Sequence, residues 1–154
     1  MRVTKSSKLR PATDANRERL FSSIGDFVAG KTFLDLFAGT GSYGLEALSR
    51  GASEGVFVEG NRKVFQDLRL NFEKTCKSAG LPDSCGRLEN RDVPAFLRSE
   101  GKSFDLIFLD PPYEDFTNIG STLFELLRSG NFVHHDSLLI HESPPELANA
   151  FPGW

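Results

Sequence analysis

Thr32-Phe-Leu-Asp-Leu-Phe-Ala-Gly-Thr-Gly-Ser-Tyr-Gly44 is the stretch whose reading decides the fold. Thr32 to Phe37 is a β-rich, apolar run of strand length, broken only by Asp35. It runs straight into Gly39-x-Gly41-x-x-Gly44. Leu45, Ala47 and Leu48 then continue on a helical period up to Ser49-Arg50-Gly51. Strand, glycine turn and helix, in that order, is the setting in which this glycine spacing carries meaning. Glycine lets a backbone turn sharply and approach a ligand with no Cβ in between. The N–H groups at a helix start lack partners inside the helix and favour electron-rich ligand groups. A ribose-binding acid is expected about 20 residues on, at the end of the next strand. Glu59 stands there, closing Gly55-Val-Phe-Val58. Together these residues predict a site for an adenosine-containing cofactor. A glycine-rich surface turn is the plainer alternative.

A second stretch narrows the chemistry. Phe104-Asp-Leu-Ile-Phe-Leu-Asp110 is another strand of buried type, and it ends in Asp110-Pro111-Pro112-Tyr113. A carboxylate, two prolines and an aromatic ring at a strand end suit the holding of a planar base with an exocyclic amino group. Proline fixes φ and stiffens such a loop. The competing reading is a tight turn with Asp110 as a cap.

The 154 residues make one domain, expected to comprise a basic arm over 1–12 and a core over 13–154. No stretch of about 18 apolar residues is present to span a bilayer, and the first residues lack the apolar run of a secretory signal. Cys76 and Cys85 have no metal-ligand partners at a recognised spacing, so they read as reduced thiols of a cytoplasmic protein. Sequence leaves a disulfide between them open. Residues 1–19 hold six cations (Arg2, Lys5, Lys8, Arg10, Arg17 and Arg19) against Asp14 and Glu18. That is +4 locally and −7 over the rest, for −3 overall. A basic end on an acidic body fits a nucleic-acid grip. A merely solvated terminus is the alternative.

Along the chain, Met1 to Pro11 shows no apolar period, and Thr13 is a candidate N-cap. Leu20, Phe21, Ile24, Phe27 and Val28 mark one face of a helix that ends before Gly30, with Arg17 and Arg19 on its polar side. Asn61 is a candidate N-cap for a helix lined by Val64, Phe65, Leu68 and Phe72, and Gly80-Leu-Pro-Asp83 breaks it. A weak strand follows at about Gly86 to Asn90, then Asp92 and a short helix over Pro94 to Arg98. Strand four is Phe104 to Leu109, Ile119, Leu123, Leu126 and Leu127 mark a further helix, and Ser137 to His141 is strand five. His134, His135 and His141 make no metal spacing with acids or cysteines, and Glu142 reads as an exposed or capping carboxylate. Most of the 14 phenylalanines fall at core positions.

Alternating strands and helices predict βαβ units, a mostly parallel sheet and helices on both faces, a Rossmann-like α/β fold. Ligands in such sheets bind beyond the carboxyl ends of the strands. Gly39, Glu59, Asp92 and Asp110 are all expected on that rim, with Asp35 one step inside.

With those residues identified, the chain resembles the class I S-adenosylmethionine-dependent methyltransferases. More closely, it is similar to the RsmD family, which methylates N2 of a guanine in bacterial small-subunit ribosomal RNA. The matching stretches are Leu9-Arg-Pro-Ala-Thr-Asp14 with Arg17-Glu-Arg-Leu-Phe21, Leu34 through Ala52, Phe57-Val-Glu59, and Leu109-Asp-Pro-Pro-Tyr113. Arg-Pro-x-x-Asp is the most family-specific of them. Family members open with a basic hairpin where this chain has nine residues before Arg10. They also continue with a final strand pair past the residues that Phe151-Pro-Gly-Trp154 resembles, so the sheet is expected to lack that pair.

The resemblance implies S-adenosyl-L-methionine as cofactor and ribosomal RNA, free or as an assembled small subunit, as partner of a monomeric enzyme. Asp110 and the Pro111 carbonyl would accept the two amino N–H groups, with Pro112 stiffening the loop and Tyr113 stacking on the extruded base. Glu59 would bind the ribose hydroxyls, and Phe37, Ala38, Gly39, Gly41 and Gly44 would pass beside the methionine portion. Asp92 would meet the adenine amino group with Val93 against the ring, a plain helix cap before Pro94 being the rival reading of Asp92. Asp35 would orient the cofactor's amino group or stand as a satisfied buried carboxylate. Arg10, Arg17 and Arg19 would contact RNA, and no metal is implied. Related motifs also serve N6-adenine methylation of DNA and methylation of protein glutamine. Outside that class stand a nicotinamide-dependent oxidoreductase, for which no Tyr-x-x-x-Lys or similar hydride-transfer set is present, and a non-catalytic RNA-binding module.

Overall fold

Side chains along β1 (Thr32–Leu36) go alternately to opposite faces of a sheet that is covered on both. Phe33 joins a core with Phe21, Tyr43, Phe57, Leu68, Phe72 and Phe108. Leu34 and Leu36 join a second core with Val56, Val58, Phe96, Ile107, Leu109 and Leu127. Period-2 burial into two cores is why these strands read as continuous apolar runs. A computed structural model describes residues 14–111 and 113–141 of the chain.

The elements alternate: α1 (Asp14–Ile24), β1, α2 (Ser42–Ser49), β2 (Glu54–Val58), α3 (Arg62–Ala79), β3 (Gly86–Glu89), α4 (Val93–Ser99), β4 (Leu106–Leu109), α5 (Tyr113–Ser129) and β5 (Leu138–His141). The five strands are parallel in the order β3-β2-β1-β4-β5. Residues of α1, α2 and α3 build the first core, and residues of α4 and α5 build the second. The expected α/β architecture with helices on both faces is therefore the observed one. The order reverses between β1 and β4, and in sheets of this kind ligands bind beyond the carboxyl ends at such a reversal.

Local signals set some of the element ends. Asn61 Oδ1 accepts the Val64 N–H at 3.0 Å and caps α3. Phe65, Leu68, Phe72 and Cys76 then form its buried stripe. The first helix departs from the expectation. Its α-helical part stops at Ile24, and Gly25–Val28 forms a 3-10 turn. Gly25 has a left-handed φ of 56°, which ends the α-helix although the apolar face runs on to Val28. The N-cap position proposed for Thr13 lies outside the described residues, as do the arm over 1–12, Pro112, Glu142 and the stretch from 143 to 154.

A polar latch joins the opposite, amino-terminal ends of three strand segments. Asp105 Oδ2 accepts the Thr32 N–H at 2.9 Å, and Asp105 Oδ1 lies 2.9 Å from His134 Nε2. The Asp136 N–H donates to His134 Nδ1 at 3.1 Å, which makes Nε2 the protonated nitrogen facing Asp105. The Thr32 N–H, with help from His134, holds the Asp105 carboxyl below the usual carboxylate range.

Candidate active site

The turn after β1 is built by three glycines with three different duties. Gly39 has φ 61°, and a Cβ built there would meet nothing within 4 Å, so its backbone faces open space. Gly41, with φ 96°, is the left-handed residue that starts α2. Gly44 lies where α2 presses on the sheet. A Cβ there would stand 2.3 Å from the Phe57 ring and 2.8 Å from that of Phe33. Close helix–strand packing of this kind is the third duty of a dinucleotide-type glycine turn. Phe37 is also left-handed, with φ 60°. A bulky residue in that region costs about 1–3 kcal/mol, and such strain gathers at ligand clamps.

Hydrogen bonds hold the turn from several sides. Glu59 Oε1 accepts the Gly39 N–H at 2.8 Å, and Glu59 Oε2 accepts the Asn61 N–H at 2.9 Å. One carboxylate thus spans the turns after β1 and β2. Asn71, from α3, donates to the Thr40 carbonyl at 3.0 Å. Asn90, past β3, donates to the Glu59 carbonyl at 2.9 Å. The Ala38 N–H pairs with the Val58 carbonyl, and Ala38 itself is buried in the first core.

Strand register places three carboxylates together. Asp35 pairs with Phe57 on one side and with Phe108 on the other. Glu59 and Asp110 each stand two residues further along those neighbours, and so on the same face as Asp35. Asp35 is 2% exposed, and its Oδ2 accepts the Gly44 N–H at 3.0 Å. Burial pushes its carboxyl well above the usual carboxylate range. The Gly44 N–H opposes that shift, and the negative charges of Asp110 and Glu59 reinforce it. Asp110 follows β4 and its Oδ1 is buried. Pro111, next to it, is buried too. Tyr113 is the first residue of α5; its side chain lies outside the described residues.

Other expected site residues take structural positions here. Asp92 Oδ2 accepts the Ala95 N–H at 3.1 Å and caps α4, the alternative duty predicted for it. Val93 is buried in the second core. Arg17 Nε lies 3.6 Å from Glu46 Oε1, which ties α1 to α2, while Arg19 is exposed. Arg10 lies outside the described residues. Asn71 and Asn90 were not singled out from sequence, because a lone asparagine beside a helix or strand end carries no local signal of what it will reach.

An open glycine backbone, a bridging acid after β2 and a half-buried acid after β4 together fit an adenosine-type cofactor beside an amine-binding loop. Similar known proteins point to the same cofactor. Residues 1–152 match the family described as "Conserved hypothetical protein 95". The ribosomal RNA small subunit methyltransferase D of Escherichia coli K12 is 33% identical over 150 residues, spanning 97% of this chain and 71% of that protein. The chain belongs to the RsmD methyltransferase family. The ribosomal RNA small subunit methyltransferase D of Haemophilus influenzae is 32% identical over 143 residues, 92% of this chain and 71% of that protein. The solved structure of the Escherichia coli yhhF protein has TM-score 0.78 and 31% identity, covering 90% of this chain and 74% of that one. At 20% identity, a SAM-dependent methyltransferase of Agrobacterium tumefaciens shares the fold, with TM-score 0.68 over 88% of this chain and 45% of that one. The chain is an RsmD-like, Rossmann-fold methyltransferase of the class that uses S-adenosylmethionine.

Proposed function

We propose that this single-domain enzyme methylates the exocyclic N2 amine of a guanine in small-subunit ribosomal RNA. The observation that carries the reading is the placement of Glu59 and Asp110 on one face, either side of the open Gly39 turn. Its RNA substrate is argued from relatives named small-subunit ribosomal RNA methyltransferases. The cytoplasm is where such a substrate is met.

When bound, S-adenosylmethionine supplies an electrophilic methyl group on a sulfonium, so the protein needs no nucleophile of its own. Glu59 would hold the ribose hydroxyls with the lone pairs left after its two backbone bonds. The Gly39 and Gly41 backbone, with Phe37, Ala38 and Gly44 behind it, would admit the methionine portion. Asp35 would stand behind this turn as a positioning carboxylate. Asp92 caps α4 through one oxygen and would offer the other to the adenine amino group, while Val93 supports that cap from the core.

The amine's lone pair is delocalised into the base. Asp110 would accept one of its N–H groups and the Pro111 carbonyl the other, drawing the nitrogen towards a reactive geometry. Orientation and charge complementarity of this kind are where catalysis without a nucleophile resides. Pro112 would keep that loop rigid, and Tyr113 would stack on a base taken out of its helix. Arg10 and Arg19 would contact phosphates, with Arg17 shared between RNA and Glu46. Neutralising all three should flatten the salt dependence of RNA affinity.

The deciding experiment uses small ribosomal subunits from cells lacking this gene, methyl-labelled S-adenosylmethionine and nucleoside analysis. Label in N2-methylguanosine is the expected result. Label in another nucleoside would overturn the guanine assignment. Cofactor binding with no RNA label would redirect the search to DNA adenine or protein glutamine.

A further inference from the structure

Far along α3 from the glycine turn, two thiols face each other in the first core. Cys76 lies one turn before the end of α3, and Cys85 sits just before β3. They are 2% and 6% exposed, and their Sγ atoms are 3.8 Å apart. The connection between them is held by its own hydrogen bonds. The Leu81 N–H donates to the Cys76 carbonyl at 2.8 Å, and the Cys85 N–H to the Pro82 carbonyl at 3.1 Å. The two sulfurs are therefore kept in contact by a rigid turn. We propose that Cys76 and Cys85 form a reversible thiol–disulfide site, oxidised by low-molecular-mass disulfides such as glutathione disulfide.

A disulfide needs its sulfurs about 2.05 Å apart. The two Sγ atoms, 3.8 Å apart, are already in van der Waals contact, so bond formation needs an approach of about 1.7 Å. Access comes from a surface cavity of about 470 Å³ whose wall includes Cys76 and Leu81, with Lys74 and Lys77 set among Glu73 and Asp83. That mixed lining offers both ammonium and carboxylate groups to a zwitterionic oxidant such as oxidised glutathione. Burial, and then the neighbouring Cys85, push the Cys76 thiol up to about 11. The reduced pair is thus slow to react at neutral pH, since the thiolate is the nucleophile.

Each electron pair is accounted for. The Cys76 thiol loses its proton, and its thiolate attacks one sulfur of glutathione disulfide. That S–S bond breaks, and the first glutathione leaves and takes up a proton. The Cys85 thiolate then attacks Cys76 Sγ and expels the second glutathione, which is also protonated. The protein loses two electrons and two protons, and glutathione disulfide is reduced to two thiols. The product links the end of α3 to the start of β3.

The test uses the full chain, incubated with glutathione disulfide, treated with a thiol alkylating agent and weighed without reductant. The expected result is a mass loss of about 2 Da, no alkylation, and reversal by dithiothreitol. Proteolysis should yield a linked Cys76–Cys85 peptide, and the oxidised protein should melt at a higher temperature. The rate should rise with pH as the Cys76 thiolate becomes populated. Cys85→Ser should stop at a glutathione adduct on Cys76. Two alkylatable thiols after prolonged exposure, a persistent adduct on the unaltered protein, or a disulfide-linked dimer would each overturn the proposal. If Cys85→Ser does not fold, the mass of the unaltered protein decides alone.

Discussion

The Gly39 N–H donates to Glu59 Oε1 at 2.8 Å, so the acid after β2 already grips the glycine turn after β1. Oε2 is engaged by the Asn61 N–H. A residue expected to bind ligand therefore also holds together the walls of the site that would receive it.

Glu59→Gln keeps the shape of this bridge but replaces one acceptor with a donor facing an N–H. A hydrogen bond to a charged group is worth about 1.5–3 kcal/mol. Affinity for S-adenosylmethionine should fall by about 10-fold or more on that scale. Titration calorimetry checks it, and an unchanged dissociation constant would remove Glu59 from the ribose-binding role.

Asp110→Ala separates binding from chemistry. The side chain lies beyond β4, across the switch point from Glu59, so cofactor affinity should stay within a few fold. Turnover should drop by about 100-fold or more, the scale of losing a transition-state acceptor. Near-normal turnover in single-turnover assays would end its assignment as the amine acceptor.

Two glycine substitutions should fail in different ways. Gly44→Ala drives a Cβ to 2.3 Å from the Phe57 ring, so it should cost about 1–3 kcal/mol as overpacking and lower the melting temperature. Gly39→Ala meets open space and pays only for its left-handed φ of 61°, about 1–2 kcal/mol. Its main effect should be on cofactor affinity, because the new methyl group projects where the ligand would approach. Thermal melts and calorimetry on both variants check the contrast, which equal losses of affinity would contradict.

Asp35 gives a pH signature. Its carboxyl is raised in the folded protein above the unfolded value, so between those two values the folded state binds more protons than the unfolded one. Its contribution to stability is full below the unfolded value and is lost as pH rises towards the folded one. Asp35→Asn preserves an acceptor for the Gly44 N–H and removes that loss. The variant should melt at a higher temperature than the parent at pH 7, by roughly a few degrees. It should also bind the cationic cofactor more weakly. Melting curves from pH 4 to pH 8 that run parallel for parent and variant would show that Asp35 does not titrate in this range.

Much of this molecule was legible in the sequence because the relevant physics is local. The apolar run from Thr32 to Phe37, the Gly39-x-Gly41-x-x-Gly44 turn, the Asn61 cap and the Asp110-Pro-Pro-Tyr113 strand end each depend on a few consecutive residues. They were enough to determine a parallel α/β fold and to put the candidate site residues at the carboxyl ends of its strands. The tertiary structure decided what depends on neighbours distant in the chain. Register put Asp35, Glu59 and Asp110 on one face, and α3 brought Asn71 to the Thr40 carbonyl. It also drew Arg17 to Glu46, joined His134 to Asp105 and set two thiols in contact. None of those outcomes is a property of a segment. Each arises where two segments meet, and strand order and helix packing determine which ones do.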